Sequence, residues 1–185
     1  VANASKSTGV SSDDKKNGVL STVRFKELDI DARILRGIED AGFDFCTPIQ
    51  AESLPALLKN QDIAGQAQTG TGKTAAYLIA TMHRLLKTPH KSNVSSEQCQ
   101  TSPRGLILAP TRELAIQIKK DADILGAHVG FKLALIYGGV DYEEQRQTLR
   151  EGADIVIGTP GRIIDYFKQN IFSLNSIEAR VLDEA

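Results

Sequence analysis

Five short apolar runs separated by stretches of helical spacing constrain this chain more than any other feature. In order they are "DIAGQ" at 62–66, "GLILA" at 105–109, "LALIY" at 133–137, "DIVIG" at 154–158 and "RVLDE" at 180–184. The intervening segments 73–87, 112–125, 142–151 and 162–169 read as helices. Upstream, "DARILRGIEDAG" places Ile34, Leu35 and Ile38 at helical spacing and closes on Gly42. Strands that are apolar along their length are buried on both faces. Joined by helices, they require right-handed crossovers and give a parallel sheet with helices on both faces. Ligands of such sheets collect at the carboxyl ends of the strands, so the residues just after each run are where chemistry is expected.

Directly after the first run stands "AQTGTGKT" at 67–74. Its glycines, Gly70 and Gly72, let the backbone curl so that the amides from Gln68, Thr69, Gly70, Thr71 and Gly72 onward point inward at phosphate oxygens. The following helix adds its positive end. Lys73 is placed to reach the β- and γ-phosphates, and the Thr74 hydroxyl to ligate Mg2+. A Gly/Thr-rich turn is the bland alternative; the Gly-Lys-Thr ending between strand and helix argues against it. The general pattern begins with Gly, whereas Ala67 stands there in this chain. This loop specifies a nucleoside triphosphate and no more.

Three helix starts carry Thr and Pro. In "CTPIQ" at 46–50, Thr47 suits the N-cap, Pro48 the first helical position, and Gln50 the third, completing a capping box. The same Gln50 amide, donor and acceptor at once, can pair with the N6/N7 edge of adenine, and spacing alone favours the cap. Phe25 offers a stacking face or an ordinary core residue. "PTRELA" (Pro110, Thr111, Arg112) and "TPGR" (Thr159, Pro160, Gly161, Arg162) follow the second and fourth runs, and Gly138–Gly139 follow the third. Thr111 and Thr159 read first as N-caps. Both motifs also place a fresh helix N-terminus and an arginine at one sheet edge, which suits a phosphodiester backbone.

The rest of the chain narrows the class. Net charge is -1 over 185 residues, so any nucleic-acid contact is a local patch. The two cysteines, Cys46 and Cys99, lie far apart without metal-binding spacing, which fits a reducing, cytoplasmic setting. No apolar run reaches the roughly 20 residues that span a bilayer, so no membrane partner is expected. Residues 1–19 read as a disordered polar tail and residues 20–185 as one domain. The polar stretch 88–103 reads as an exposed loop with no assigned function.

Taken in order, Phe25, "GFDFCTPIQ", "AQTGTGKT", "PTRELA", "GG", "TPGR" and "VLDEA" resemble the N-terminal half of a DEAD-box ATP-dependent RNA helicase. "CTPIQ", "DIAGQAQTGTGKT" and "RIIDYFKQN" are most similar to the bacterial RhlB type, which is associated with RNA degradation. The resemblance implies a RecA-like P-loop NTPase lobe, incomplete at its C-terminal end, with ATP and Mg2+ as ligands. It implies adenine reading by Gln50 and the Thr47 region with Phe25 packed nearby. Phosphates fall to Gly70, Gly72, Lys73 and Thr74. RNA-backbone contacts fall near Thr111, Arg112, Gly138, Gly139, Thr159 and Arg162, with little sequence preference and a strong salt dependence. Cys46, where many members have proline, reads as a subgroup marker and not as a reactive thiol.

The resemblance further implies that Asp183 holds Mg2+ through water and that Glu184 positions or deprotonates the attacking water. An RNA-degradation complex is the implied partner. The motif's closing aspartate, a downstream Ser-Ala-Thr segment and a second RecA-like lobe with its arginine finger lie outside the 185 residues. Such a finger contributes about 10³–10⁵ in rate in phosphoryl-transfer enzymes. The expectation is therefore that this piece alone binds adenine nucleotide weakly at best and does not unwind RNA. The rivals are another P-loop NTPase, such as a DNA helicase or transport ATPase, and a non-catalytic RNA-binding scaffold.

Overall fold

A computed structural model describes residues 20–88 and 102–184. The tail 1–19, most of the loop 88–103, Cys99 and Ala185 therefore lie outside the described residues. Four parallel strands, β1 (Gly105–Leu108), β2 (Leu133–Ile136), β3 (Ile155–Gly158) and β4 (Ala179–Leu182), form one sheet in the order β2-β3-β1-β4. Among the described residues a 3-10 turn (Phe25–Glu27) and six α-helices accompany them: α1 (Ala32–Asp40), α2 (Pro48–Leu57), α3 (Lys73–Lys87), α4 (Arg112–Leu125), α5 (Tyr142–Arg150) and α6 (Pro160–Lys168).

Side-chain alternation divides the core in two. Ile107, Ile155 and Ile157 join α1 to α4 through Ile34, Leu54, Ile79 and Ile118. Ala134, Ile136 and Val156 point the other way and pack with Leu149 of α5 and Ile163 and Tyr166 of α6. The connection from β1 to β2 thus crosses one face through α4. The connections through α5 and α6 return across the other, as a constant crossover hand requires when the direction along the sheet reverses. At the end of β3, a Cβ on Gly158 would lie 1.9 Å from the Ile136 carbonyl oxygen. Only glycine permits that approach, and Thr159 N–H donates to the same oxygen (2.9 Å).

The helix ends follow the sequence closely; α6 begins at Pro160, two residues earlier than expected, and α5 stops at Arg150. One expected strand is absent: 62–66 has no strand ladder and is exposed, with Ile63 at 42%. A strand needs neighbours for its N–H and C=O groups. On the outer side of β4 no described strand supplies them, and only Ile63 and Ala64 are apolar in the segment. The last run also ends early, since Asp183 and Glu184 form a turn beyond β4.

At the amino edge, opposite the expected chemistry, buried Arg104 pairs with Glu178 at 2.6 Å and donates to the carbonyls of Leu85 (2.9 Å) and Thr88 (2.8 Å). That knot fixes the far end of α3 against β1 and β4. The near end of α3 is thereby held over the carboxyl edge.

Candidate functional site

The phosphate-loop residues 67–72 turn into α3, with Gly72 at φ 94° as its N-cap. A Cβ on Gly72 would meet Gln50 Nε2 at 2.4 Å and Thr47 Oγ1 at 3.0 Å, so this position admits no side chain. Gln50, 5% exposed, spends both ends of its amide here: Oε1 accepts the Thr47 N–H (2.8 Å), as the cap reading requires, and Nε2 donates to the Gly72 carbonyl (3.0 Å). The start of α2 is thus fastened to the phosphate loop. Thr47 Oγ1 is buried with no hydrogen-bond partner, a hydroxyl left to be satisfied beside a glycine cradle. Lys73 Nζ donates to the Ala67 carbonyl, and Thr71 Oγ1 donates to the Gln68 carbonyl (2.8 Å). Gln68, Thr69 and Gly70 complete the loop, Gly70 at φ 79°.

A cleft of about 730 Å³ opens beside it, walled by Phe25, Phe43, Phe45, Pro48, Gln50 and loop residues including Thr69 to Gly72. That size suits a nucleotide-like ligand. Phe25 is only 4% exposed, so it forms the floor of the cleft and offers little stacking face. Phe43, 48% exposed on the same wall, was not singled out from the sequence. Its only signal is its place in "GFDFC". Buried Cys46 lies next to this wall; desolvation first, and the Glu27 charge second, push its thiol up to about 11. It is an inert core residue.

The acidic turn meets the loop helix. Asp183 N–H donates to the Leu108 carbonyl (2.9 Å), and its carboxylate accepts the Tyr77 hydroxyl (2.9 Å). The proton of that phenol is held far above its ordinary range by burial first and by the Asp183 charge second. Tyr77 therefore ties α3, the helix that Lys73 and Thr74 open, to Asp183, which spacing did not reveal. Glu184 stands exposed at φ 53° in the same turn. Among the described residues no cluster of three or more His, Cys, Asp or Glu could hold a metal unaided. A hydroxyl and one carboxylate at this spot still fit Mg2+, which retains waters and draws on substrate phosphates.

The other motifs line the same edge. Pro110 and Thr111 follow β1, and Thr111 caps α4 by accepting the Leu114 N–H (3.3 Å). Arg112 stacks on Tyr137 at 4.9 Å. Gly138 and Gly139 (φ 86°) turn the chain after β2. Gln145, not singled out from sequence, brackets Tyr137 by accepting its N–H and donating to its carbonyl, both at 3.0 Å. Thr159, Pro160, Gly161 and Arg162 open α6, but Thr159 makes no side-chain cap bond, contrary to expectation. Its backbone N–H donates to the Ile136 carbonyl of β2, and Pro160 occupies the first helical position. Arg162 stacks on Tyr142.

The profile of the DEAD/DEAH box helicase family matches residues 47–185. An ATP-dependent RNA helicase RhlB of Shewanella denitrificans is 58% identical over 166 residues, 90% of this chain and 38% of that protein. Its counterpart from Vibrio atlanticus is 58% identical over 162 residues, 88% of this chain and 36% of that protein. The chain thus spans less than two fifths of the curated relatives it matches. A DEAD box protein from Methanococcus jannaschii superposes with a TM-score of 0.73 at 34% identity, covering 86% of this chain and 40% of that one. A hypothetical ATP-dependent RNA helicase from Sulfolobus tokodaii gives 0.68 at 31% identity, covering 83% and 41%.

Proposed function

The chain belongs to the DEAD/DEAH box helicase family, and from that premise we propose that its protein hydrolyses ATP, stimulated by RNA, to open short RNA duplexes locally. The observation that carries this reading is the Tyr77–Asp183 hydrogen bond. It sets the carboxylate of one strand end against the helix that begins at the phosphate loop, one turn along from Thr74. A degenerate scaffold would have no need of that juxtaposition.

The roles follow from position. Amides of Gln68, Thr69, Gly70, Thr71 and Gly72 bind phosphate oxygens, and Lys73 leaves the Ala67 carbonyl to neutralise the β- and γ-phosphates. Thr74 and, through water, Asp183 would hold Mg2+, which would supply charge neutralisation at the transferring phosphoryl group. Glu184 orients or deprotonates the attacking water. Adenine enters the cleft beside Phe25 and Phe43. There the Gln50 oxygen retains acceptor capacity, while Nε2 must be shared with or released from Gly72. Pro110, Thr111, Arg112, Gly138, Gly139, Thr159, Pro160, Gly161 and Arg162 form the RNA-backbone edge. The RhlB-like stretches support a role in bacterial RNA turnover, with an RNA-degradation complex as partner and the cytoplasm as setting. No described helix is long and apolar enough to cross a membrane.

The test is ATP turnover by the full-length protein with and without single-stranded RNA. RNA stimulation specific to ATP is expected. Equal turnover of GTP would remove the adenine role of Gln50, and equal stimulation by DNA would remove the RNA assignment.

A further inference from the structure

Tyr77 has a packing role and a polar one, and the core explains only the first. It stands three residues after Thr74 and four after Lys73 on α3, on the side of the helix that carries those two residues. Its ring packs against the core on the face that holds α1 to α4, as does Val181 of β4. A phenylalanine would fill that place as well. The hydroxyl is an addition that costs desolvation unless something accepts it. Its acceptor is Asp183 Oδ2 at 2.9 Å, 106 residues away in the chain.

Asp183 is thereby held at two points. Its N–H donates to the Leu108 carbonyl (2.9 Å), which hangs its backbone from the end of β1, and Tyr77 fixes its side chain against α3. An aspartate side chain has several staggered positions open to it, and this bond selects one of them. The donor is a neutral phenol, so the carboxylate keeps its whole charge for a cation, which a lysine or arginine in the same place would offset. Among the described residues no side chain or backbone group donates to Oδ1, so that oxygen keeps its full acceptor capacity. An outer hydrogen bond of this kind orients a metal-binding carboxylate and strengthens its hold.

We propose that, on the ATP-hydrolysis reading above, Tyr77 is a positioning residue for the metal-binding carboxylate: its hydroxyl holds Asp183 against α3, one turn from Thr74, and leaves Oδ1 to the water through which Asp183 would hold Mg2+. Tyr77 itself touches neither nucleotide nor metal. It acts through Asp183 alone.

The experiment measures binding of a fluorescent, non-hydrolysable ATP analogue to the full-length protein, once in excess Mg2+ and once in EDTA. The ratio of the two affinities reads the metal's contribution and cancels any change in the fold that weakens nucleotide binding under both conditions. Tyr77→Phe keeps the ring in the core and removes only the hydroxyl. Its affinity in EDTA is expected to stay, while the ratio falls about 10-fold, the lower end of the range for an outer partner of a metal ligand. Asp183→Asn is expected to lower the ratio at least as far. Added to Asp183→Asn, Tyr77→Phe is expected to lower it no further, because the hydroxyl then has no carboxylate to act through. An unchanged or raised ratio in Tyr77→Phe, with or without a lowered melting temperature, would overturn the positioning role. So would a fall of the same size in the Asp183→Asn background. If the unaltered protein binds the analogue no better in Mg2+ than in EDTA, the metal-dependent ATP reading fails instead, and the role of Tyr77 with it.

Discussion

Gln50→Ala separates two jobs that one side chain can do. In this structure the amide is buried and makes two hydrogen bonds, at 2.8 Å to the Thr47 N–H and at 3.0 Å to the Gly72 carbonyl. Alanine leaves both partners without their bond in a region of low accessibility. An unsatisfied buried group costs about 1–3 kcal/mol, so partial access of solvent brings the pair to about 3 kcal/mol. For a domain of this size that lowers the melting temperature by roughly 6–12 °C. The loss acts on the ligand-free protein, because the bonds tie α2 to the phosphate loop without any nucleotide. The assay is a melt of the full-length protein without nucleotide, beside binding of fluorescent ATP and GTP analogues. The expected result is a lowered melt together with weaker binding of both nucleotides, and a further loss of preference for ATP. An unchanged melt with only the ATP preference lost would show that the bond to Gly72 contributes nothing, and would refute the structural half of the reasoning.

Glu184→Gln is expected to abolish turnover and spare ATP binding; loss of binding would place Glu184 among the ligand contacts instead. Arg104→Ala leaves the partly buried Glu178 and the carbonyls of Leu85 and Thr88 without their donor, so a destabilisation of about 2–3 kcal/mol, below that of a fully buried pair, is expected in a urea titration. His83 is buried and accepts the Asp31 N–H on Nδ1 (3.1 Å). Burial first, and the Lys87 charge second, lower its pKa against the opposing pull of Asp29 and Asp31. The unfolded chain then takes up the proton first. The contribution is whole above the ordinary histidine value of about 6.5 and is lost as pH falls below it toward the folded value. A urea midpoint that drops between about pH 7.5 and about pH 5.5, and drops less in His83→Gln, is the expected outcome.

Much of the fold was legible because the deciding signals are local. α3 and α4 begin and end where Gly72 and Thr111 on one side and the loss of apolar spacing on the other place them. Three of the strands announce themselves as continuous apolar runs. Segment 62–66 misled because a strand is a property of a pair, and "DIAGQ" says nothing of its neighbours. The individual motifs were equally readable, but the links between them were not. Tyr77 touches Asp183 across a separation of 106 residues, and Gln145 grips a backbone eight residues away. Neither has a spacing signature, since the fold and not the sequence brings the partners together. Arg162 shows the converse: its motif was found, yet its surroundings alone reveal that its guanidinium lies over the rings of Tyr142 and Tyr166.

These links make the carboxyl edge one mechanical unit. Gln50 binds the phosphate loop, the loop opens α3, and Tyr77 on α3 holds Asp183. The Asp183 backbone then hangs from Leu108, three residues before Thr111, so the acidic turn and the start of α4 share the end of β1. Arg112 at that start covers Tyr137, whose backbone Gln145 fixes just before the Gly138–Gly139 turn. Each step is a direct contact or a short stretch of backbone, a spatial continuity that becomes coupling only where one of these elements has two states. Lys73 is the one charged member bound only to a loop carbonyl. Drawing it onto phosphate therefore disturbs the chain of contacts at its beginning, while the sheet, knotted at Arg104 on the opposite edge, stays in place. On the function proposed above, nucleotide would reach the RNA-backbone edge by a route that does not require the sheet to move.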